Sequence, residues 1–357
     1  MLEQLYGCHD GDHCIAAIGD ACIKDIRNFD IGKAYEAMRK NAFESPADEK
    51  DYLDGMGRRA LRSYLKYGYI PLEDGVPDAF HVKEQVSRTL EYAYDDFVLA
   101  QVARLLQKEE DYKVLSARAR NYRHVIDPQT GYAQGRHADG TFLKEQNAFQ
   151  FTKFITEGAP CHYTWYVPHD PYGLMECMGG RDNFVQKLDS MFSEHRYWHG
   201  NEPCHQVAFM FNYAGEPWKT QQAVRHIMET EYLNAPGGLS GNDDAGQMSA
   251  WYIFASLGFY PVCPGSPFYV LASPSFPKAV LHLENGKSFI LQAENASEEN
   301  IYIQKVTLNG KAYTKNYISH KDIIAGGEMV FTMGNTPNKT WGNTPEDCPP
   351  SLIEVAE

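Results

Sequence analysis

No apolar run in the chain approaches the ~18 residues that a membrane-spanning helix needs, so no transmembrane span and no membrane partner are expected. Cations are scarce. Lysine and arginine total 33 against 47 aspartates and glutamates, a net charge of −14. A nucleic-acid binder needs a basic patch to neutralise phosphates, so that class is excluded. The eight cysteines include no Cys-x-x-Cys pair, which argues against a zinc ribbon, and they are too sparse for a disulfide scaffold. Most read as buried or incidental thiols, with one or two disulfides expected if the protein is exported. The start, MLEQLYGCHDGDHC, lacks the basic and apolar regions of a signal peptide, so compartment is left open. There is no internal repeat and no low-complexity tract.

What is present is a 357-residue chain, 43% hydrophobic, large enough for one big domain or two smaller ones. Aromatics reach 13%, a content that serves either a large core or the stacking of rings on pyranose faces. Apolar spacing predicts helices over residues 12–42, 82–106 and 111–125, then over 163–167, 181–193, 204–214, 220–231 and 246–257. In the 82–106 helix, Val86, Leu90, Tyr94, Phe97, Val98, Gln101 and Leu105 share a stripe. Gly68-Tyr-Ile-Pro71 and Asp74-Gly75 mark a loop. Helices alternating with elaborate Gly/Pro loops are the pattern of an α/α toroid, whose rim loops build a site. After Pro261 the texture turns to short β-rich runs at 268–272, 279–283, 288–293, 301–308 and 329–333, with Asn285-Gly286 and Asn309-Gly310 as hairpin turns. The expected fold is mainly α: a partial α/α toroid, (α/α)6-barrel-like, over 1–260, with a small antiparallel β unit over 261–357.

Three loops carry more polar and aromatic residues than a connection needs. In Thr156-Glu-Gly-Ala-Pro-Cys-His-Tyr-Thr-Trp165, Glu157 reads either as a desolvated acid of raised pKa or as a capping or salt-bridged loop carboxylate. Trp198-His-Gly-Asn-Glu-Pro-Cys-His205 offers hard oxygens from Asn201 and Glu202, suited to Ca²⁺, which takes six to eight oxygens. Its histidines suit hydrogen bonds to sugar hydroxyls. The same segment also reads as a capped helix start with Pro203 in the first turn. Gly238-Leu-Ser-Gly-Asn-Asp-Asp-Ala-Gly-Gln247 sets Asp243 and Asp244 at a helix N-terminus, where the dipole favours the ionised form that a general base requires. Capping needs one such residue, and Asn242, Asp243 and Asp244 are three. An acid and a base on separate loops are the minimal equipment of a glycosidase.

These segments, in order along nearly the whole chain, resemble glycoside hydrolase family 92, the calcium-dependent exo-α-mannosidases. The resemblance runs from Val86-Ser-Arg-Thr-Leu-Glu-Tyr-Ala-Tyr-Asp-Asp96 through Glu157-Gly, Val167-Pro-His-Asp170 and His199-Gly-Asn-Glu-Pro203. It continues through Asn212-Tyr-Ala-Gly-Glu-Pro-Trp-Lys-Thr-Gln221, Gly241-Asn-Asp-Asp-Ala-Gly-Gln-Met-Ser-Ala-Trp251, Gly258-Phe-Tyr-Pro-Val262 and Pro337-Asn-Lys-Thr-Trp341. It implies hydrolysis of terminal α-mannosides with inversion, on a mannose-containing oligosaccharide or N-glycan. Glu157 matches the general acid, and Asp244, or alternatively Asp243, the general base. An inverting pair stands about 6.5–9.5 Å apart to admit a water. Calcium would bind beneath the cleaved sugar, with Glu202 and Asn201 as ligand candidates. His199, His162, Trp198 and Asp96 are the expected substrate contacts. The family's N-terminal β-sandwich and first barrel helices have no counterpart in the chain and are an expected missing partner. Two other readings compete: an inactive fragment or sugar-binding remnant, and another α/α-toroid enzyme such as a polysaccharide lyase. The scarcity of arginine around the loops disfavours the anionic substrate of a lyase.

Overall fold

The structure is a computed structural model and describes residues 12–74, 83–144 and 147–352. The opening segment with Cys8, the Gly75 turn and Val82 lie outside the described residues. The chain divides into two compact units, residues 1–180 with 264–266, and residues 181–263 with 267–357.

The first unit is built around a helix buried on nearly every side. Helices α1 (His13–Ile23), α2 (Ile31–Phe43), α3 (Glu49–Leu53) and α4 (Leu61–Tyr67) precede α5 (Gln85–Leu105). Then come α6 (Glu109–Arg118), α7 (Pro160–Tyr163) and α8 (Pro171–Cys177). Asp30 caps α2 by accepting from the Lys33 N–H at 3.0 Å. Of the 21 residues in α5, 18 are buried, so the apolar stripe is only one face of a helix that α1, α2 and α6 enclose. Burial on all sides includes charges. Asp96 accepts from Arg58 at 2.6 Å, from Arg118 at 2.7 and 2.9 Å, and from the Tyr64 hydroxyl at 3.1 Å. Two guanidiniums around one carboxylate offset the cost of taking the charges out of water.

Several elements differ from the sequence reading. The 111–125 helix stops at Arg118 and is followed by a separate 3₁₀ turn, Asn121–His124. The 163–167 helix is instead α7, which begins earlier because Pro160 is preorganised for a first helical turn. The 204–214 helix is two 3₁₀ turns, Glu202–Cys204 and Val207–Asn212, and the Ala208 carbonyl is taken by the Thr220 hydroxyl. Helices α3, α4 and α8 fall in segments where no helix was expected.

The second unit holds α9 (Arg181–Ser193), α10 (Pro217–Thr230), α11 (Gln247–Leu257) and α12 (His320–Ile324), with all the named strands. The texture change at 261 therefore does not coincide with a boundary between the units, since α9 to α11 sit with the strands. Strands β1 (Phe259–Tyr260), β2 (Phe268–Leu271) and β7 (Tyr317–Ser319) form one sheet, in the order β1-β2-β7. Strands β3 (Lys278–His282), β4 (Ser288–Glu294), β5 (Tyr302–Leu308), β6 (Lys311–Ala312) and β8 (Gly327–Gly334) form another, in the order β3-β4-β8-β5-β6. Asn309 and Gly310, both at positive φ, turn β5 into β6 as an Asn-Gly hairpin does. The expected antiparallel unit is corrected to a mixed sheet: β4 and β8 run parallel. The strands and helix between them supply the long crossover that parallel pairing requires. Alternate residues Phe289 and Leu291 of β4 and Met329, Phe331 and Met333 of β8 point into one apolar core. Buried Gln221 of α10 accepts the Ile303 N–H at 2.9 Å, at the register shift in β5, and so ties helix to sheet.

Candidate functional site

In the first unit, the chain around Glu157 is pinned to the start of α5. The Val86 and Ser87 N–H groups donate to the Phe154 carbonyl at 3.0 and 3.3 Å, satisfying donors that a helix N-terminus leaves open. The Thr156 N–H donates to the Ser87 hydroxyl at 2.7 Å. Glu157 follows at φ +47, a left-handed conformation uncommon for a side-chain-bearing residue. Glu157 is exposed. Five residues on, His162 accepts the Ala159 N–H through Nδ1 at 3.1 Å, bracing the turn that follows Glu157. Its ring meets Phe151 edge to face. Asp96 does not join this group. It lies nine residues beyond Ser87, about 13 Å along the helix, fully buried between Arg58 and Arg118. The expectation that it contacts substrate is corrected to an internal role.

In the second unit, two of the three sequence loops touch. A Cβ built on Gly241 would lie 2.4 Å from the Gly200 Cα, and one on Gly200 would lie 3.0 Å from the Ser240 carbonyl oxygen. Only glycines allow that approach. It sets the turn carrying Asn201 and Glu202 beside the turn carrying Asp243 and Asp244. Asp243 spends Oδ1 on the Ser249 N–H and hydroxyl at 2.9 and 3.0 Å, a capping bond for α11. Asp244 is exposed, and Asp244, Ala245 and Gly246 are consecutive left-handed residues, with φ of 44, 57 and 94°. Strain of this kind persists where the surrounding structure holds it. Trp198 is partly exposed and Asn201 is buried.

His199 is placed differently from expectation. It is 1% exposed, with Nδ1 2.7 Å from the Tyr197 hydroxyl and Nε2 2.6 Å from the Tyr232 hydroxyl. Both ring nitrogens are occupied within the protein. Its ring packs 4.5 Å from Trp251, and Trp251 donates to the His205 carbonyl at 3.0 Å. Burial, with neighbouring His205 adding, holds His199 down to about 3, and burial holds His205 down to about 4. Sequence reasoning missed Tyr197, Tyr232 and Gln247 as partners of these rings, and it read His205, like His199, as a group for sugar hydroxyls, whereas His205 bonds the His199 carbonyl at 3.0 Å. Tyr232 lies 33 residues from His199, and no local spacing signals a contact at that distance.

Among the described residues, no three His, Cys, Asp or Glu side chains gather closely enough to hold a metal ion. Asn201 and Glu202 are hard-oxygen donors from one turn, short of the six to eight oxygens of calcium. The described side chains do not by themselves constitute a calcium site.

The second unit thus sets acidic and aromatic loops on helices that pack with a mixed sheet, and the class of the chain follows from its relatives. The model of the glycosyl hydrolase family 92 catalytic domain matches residues 3–335, and the chain belongs to that family. It is 39% identical to a family 92 α-mannosidase of Bacteroides thetaiotaomicron, with a TM-score of 0.87 over 97% of this chain and 45% of that one. It is 35% identical to a family 92 inverting mannosidase of the same organism, with a TM-score of 0.88 over 97% of this chain and 49% of that one. An uncharacterized secreted glycosidase of Arthroderma benhamiae is 30% identical over 96% of this chain and 47% of its own length. The chain therefore spans about half the length of these relatives.

Proposed function

We propose that the protein hydrolyses terminal α-mannosides of a mannose-containing oligosaccharide or N-glycan, in exo fashion and with inversion. The observation that carries this reading is 35–39% identity, over nearly the whole chain, to two family 92 mannosidases, one of them described as inverting. The touching Gly200 and Gly241 backbones support it, because they set the turn carrying Asn201 and Glu202 beside the turn carrying Asp243 and Asp244. The α/α-toroid arrangement belongs to the same reading.

In this scheme Glu157 protonates the glycosidic oxygen. Asp244 takes a proton from water as the water attacks the anomeric carbon from the opposite face. Asp244 is preferred to Asp243 because Asp243 already gives an oxygen to Ser249. Trp198 offers a partly exposed indole for stacking on a sugar face, and His162 lies beside the Glu157 turn. Calcium dependence is part of the proposal, with Asn201 and Glu202 as donors and carbonyls, water or sugar hydroxyls completing the shell.

The test is mannose release from an aryl α-mannoside and from mannobiose, with Ca²⁺ and then with EDTA, followed by proton NMR. Calcium-dependent release with β-mannose appearing first is expected. α-Mannose appearing first rejects inversion, and undiminished release in EDTA rejects the metal. Mannose binding without release favours a sugar-binding remnant. Glu157→Gln is expected to lower turnover by roughly 10²–10⁴, and unchanged turnover removes Glu157 from the acid role.

A further inference from the structure

We propose that His199 is a positioning residue: it is the middle member of a hydrogen-bond chain of one sense that clamps the Gly200–Glu202 turn to the first turn of α11. Through that turn it holds the Asp243–Asp244 segment in place. The inference rests on the reading of that segment as part of the site.

The direction of the chain follows from counting protons. The Tyr232 hydroxyl has a single proton, and it donates to the Met248 carbonyl at 2.9 Å. Toward His199 it can therefore only accept, so His199 Nε2, 2.6 Å away, carries the hydrogen. A neutral imidazole has one N–H. Nδ1 is then bare and accepts from the Tyr197 hydroxyl at 2.7 Å. The donors run Tyr197, His199, Tyr232, and the last acceptor is the Met248 carbonyl, in the first turn of α11.

A second histidine repeats the logic. His205 Nε2 lies 3.0 Å from the His199 carbonyl, which can only accept, so this ring is also protonated on Nε2. Its bare Nδ1 faces the Gln247 side-chain amide at 3.4 Å, and the same amide reaches the Tyr260 hydroxyl at 3.3 Å. Trp251, also on α11, donates to the His205 carbonyl. Met248, Gln247 and Trp251 thus tie the N-terminal half of α11 to residues 199–205, and the rings of His199, Tyr232 and Trp251 pack against one another around the join. A rigid ring with a donor on one edge and an acceptor on another is what the chain needs at its centre. A sugar hydroxyl could reach either nitrogen only by displacing a tyrosine.

The experiment uses the whole protein with ¹⁵N-labelled histidine, the His199 signals being assigned by their loss in His199→Gln. The expected pattern is a protonated Nε2 and a bare Nδ1, unmoved by saturating mannose. A proton on Nδ1, or a ring shift on adding mannose, overturns the inference. Kinetics of Tyr232→Phe, which keeps the ring and removes the relay, give the second arm. A fall in kcat of about ten- to a hundredfold with KM within twofold is expected of a displaced catalytic group. A rise in KM at unchanged kcat overturns the inference and returns His199 to sugar contact. If no mannoside is cleaved at all, the functional proposal fails, and the ring pattern and its response to mannose still decide this inference.

Discussion

A Cβ on Gly241 would lie 2.4 Å from the Cα of Gly200, so the backbones of two loops 41 positions apart are in direct contact. The contact brings the turn after His199 against the turn before Asp243. Nothing but hydrogen fits between them.

Gly241→Ala is accordingly expected to separate the two loops. A forced shift of well-packed backbone costs about 1–3 kcal/mol, readable as a lowered urea midpoint, and turnover should fall with it. A variant as stable and as active as the parent would mean the loops part without consequence.

The two neighbouring aspartates should separate into a structural and a chemical role. Asp243→Ala removes the bonds to Ser249 and should cost about 0.5–2 kcal/mol, the worth of a helix cap. Asp244→Asn should leave stability within about 0.5 kcal/mol, because asparagine accepts the left-handed φ at this position. Its turnover should drop by roughly 10²–10⁴. Thermal melts and mannoside kinetics on both variants decide the matter, and the reverse pattern would exchange the assignments.

Asp96→Asn tests the internal role of that residue. Breaking a buried pair costs about 3–5 kcal/mol, since Arg58 and Arg118 keep their charges without a full counter-charge. Denaturant titration should show the loss. An unaltered midpoint accompanied by weaker substrate binding would instead restore Asp96 to sugar contact.

Stability should depend on pH through two buried groups of opposite sign. Burial raises Asp95 to about 7, against 3.8 for an ordinary aspartate. The folded state holds its proton more tightly, so the stabilisation present near pH 4 is lost as pH rises toward 7. Burial holds His205 down to about 4, against 6.5. Here the unfolded state takes the proton first, so the stabilisation present above pH 6.5 is lost as pH falls toward 4. Asp95→Asn should therefore gain on the parent as pH rises from 4 to 7, and His205→Gln should gain on it as pH falls from 6.5 to 4. Parallel stability profiles for the parent and either variant would contradict the corresponding assignment.

Much of the fold was legible because its signals are local. The Asn309-Gly310 turn and the alternation along β4 and β8 are read within a few residues, as is the spacing that marks α5, α9 and α11. What escaped reading was set by partners distant in sequence. The parallel pairing of β4 with β8 spans an intervening helix and three strands. Pro160 in the first helical turn moved α7, and 3₁₀ turns replaced a helix where Thr220 takes a carbonyl. For the site, the order of the loop segments named the family. The same letters put Asp96 and His199 among the sugar contacts, because a carboxylate clamped by two arginines and an exposed one are written alike.

Residue order alone determined the family, the acidic and aromatic character of the loops, and most helices and strands, since each depends on neighbours within a turn or a hairpin. Tertiary structure alone decided which polar groups face inward. Whether a histidine meets solvent or two tyrosines, and whether two glycines touch, depends on what chain closure brings from 33 or 41 positions away. Desolvation then gives the same side chain a different partner and a different role.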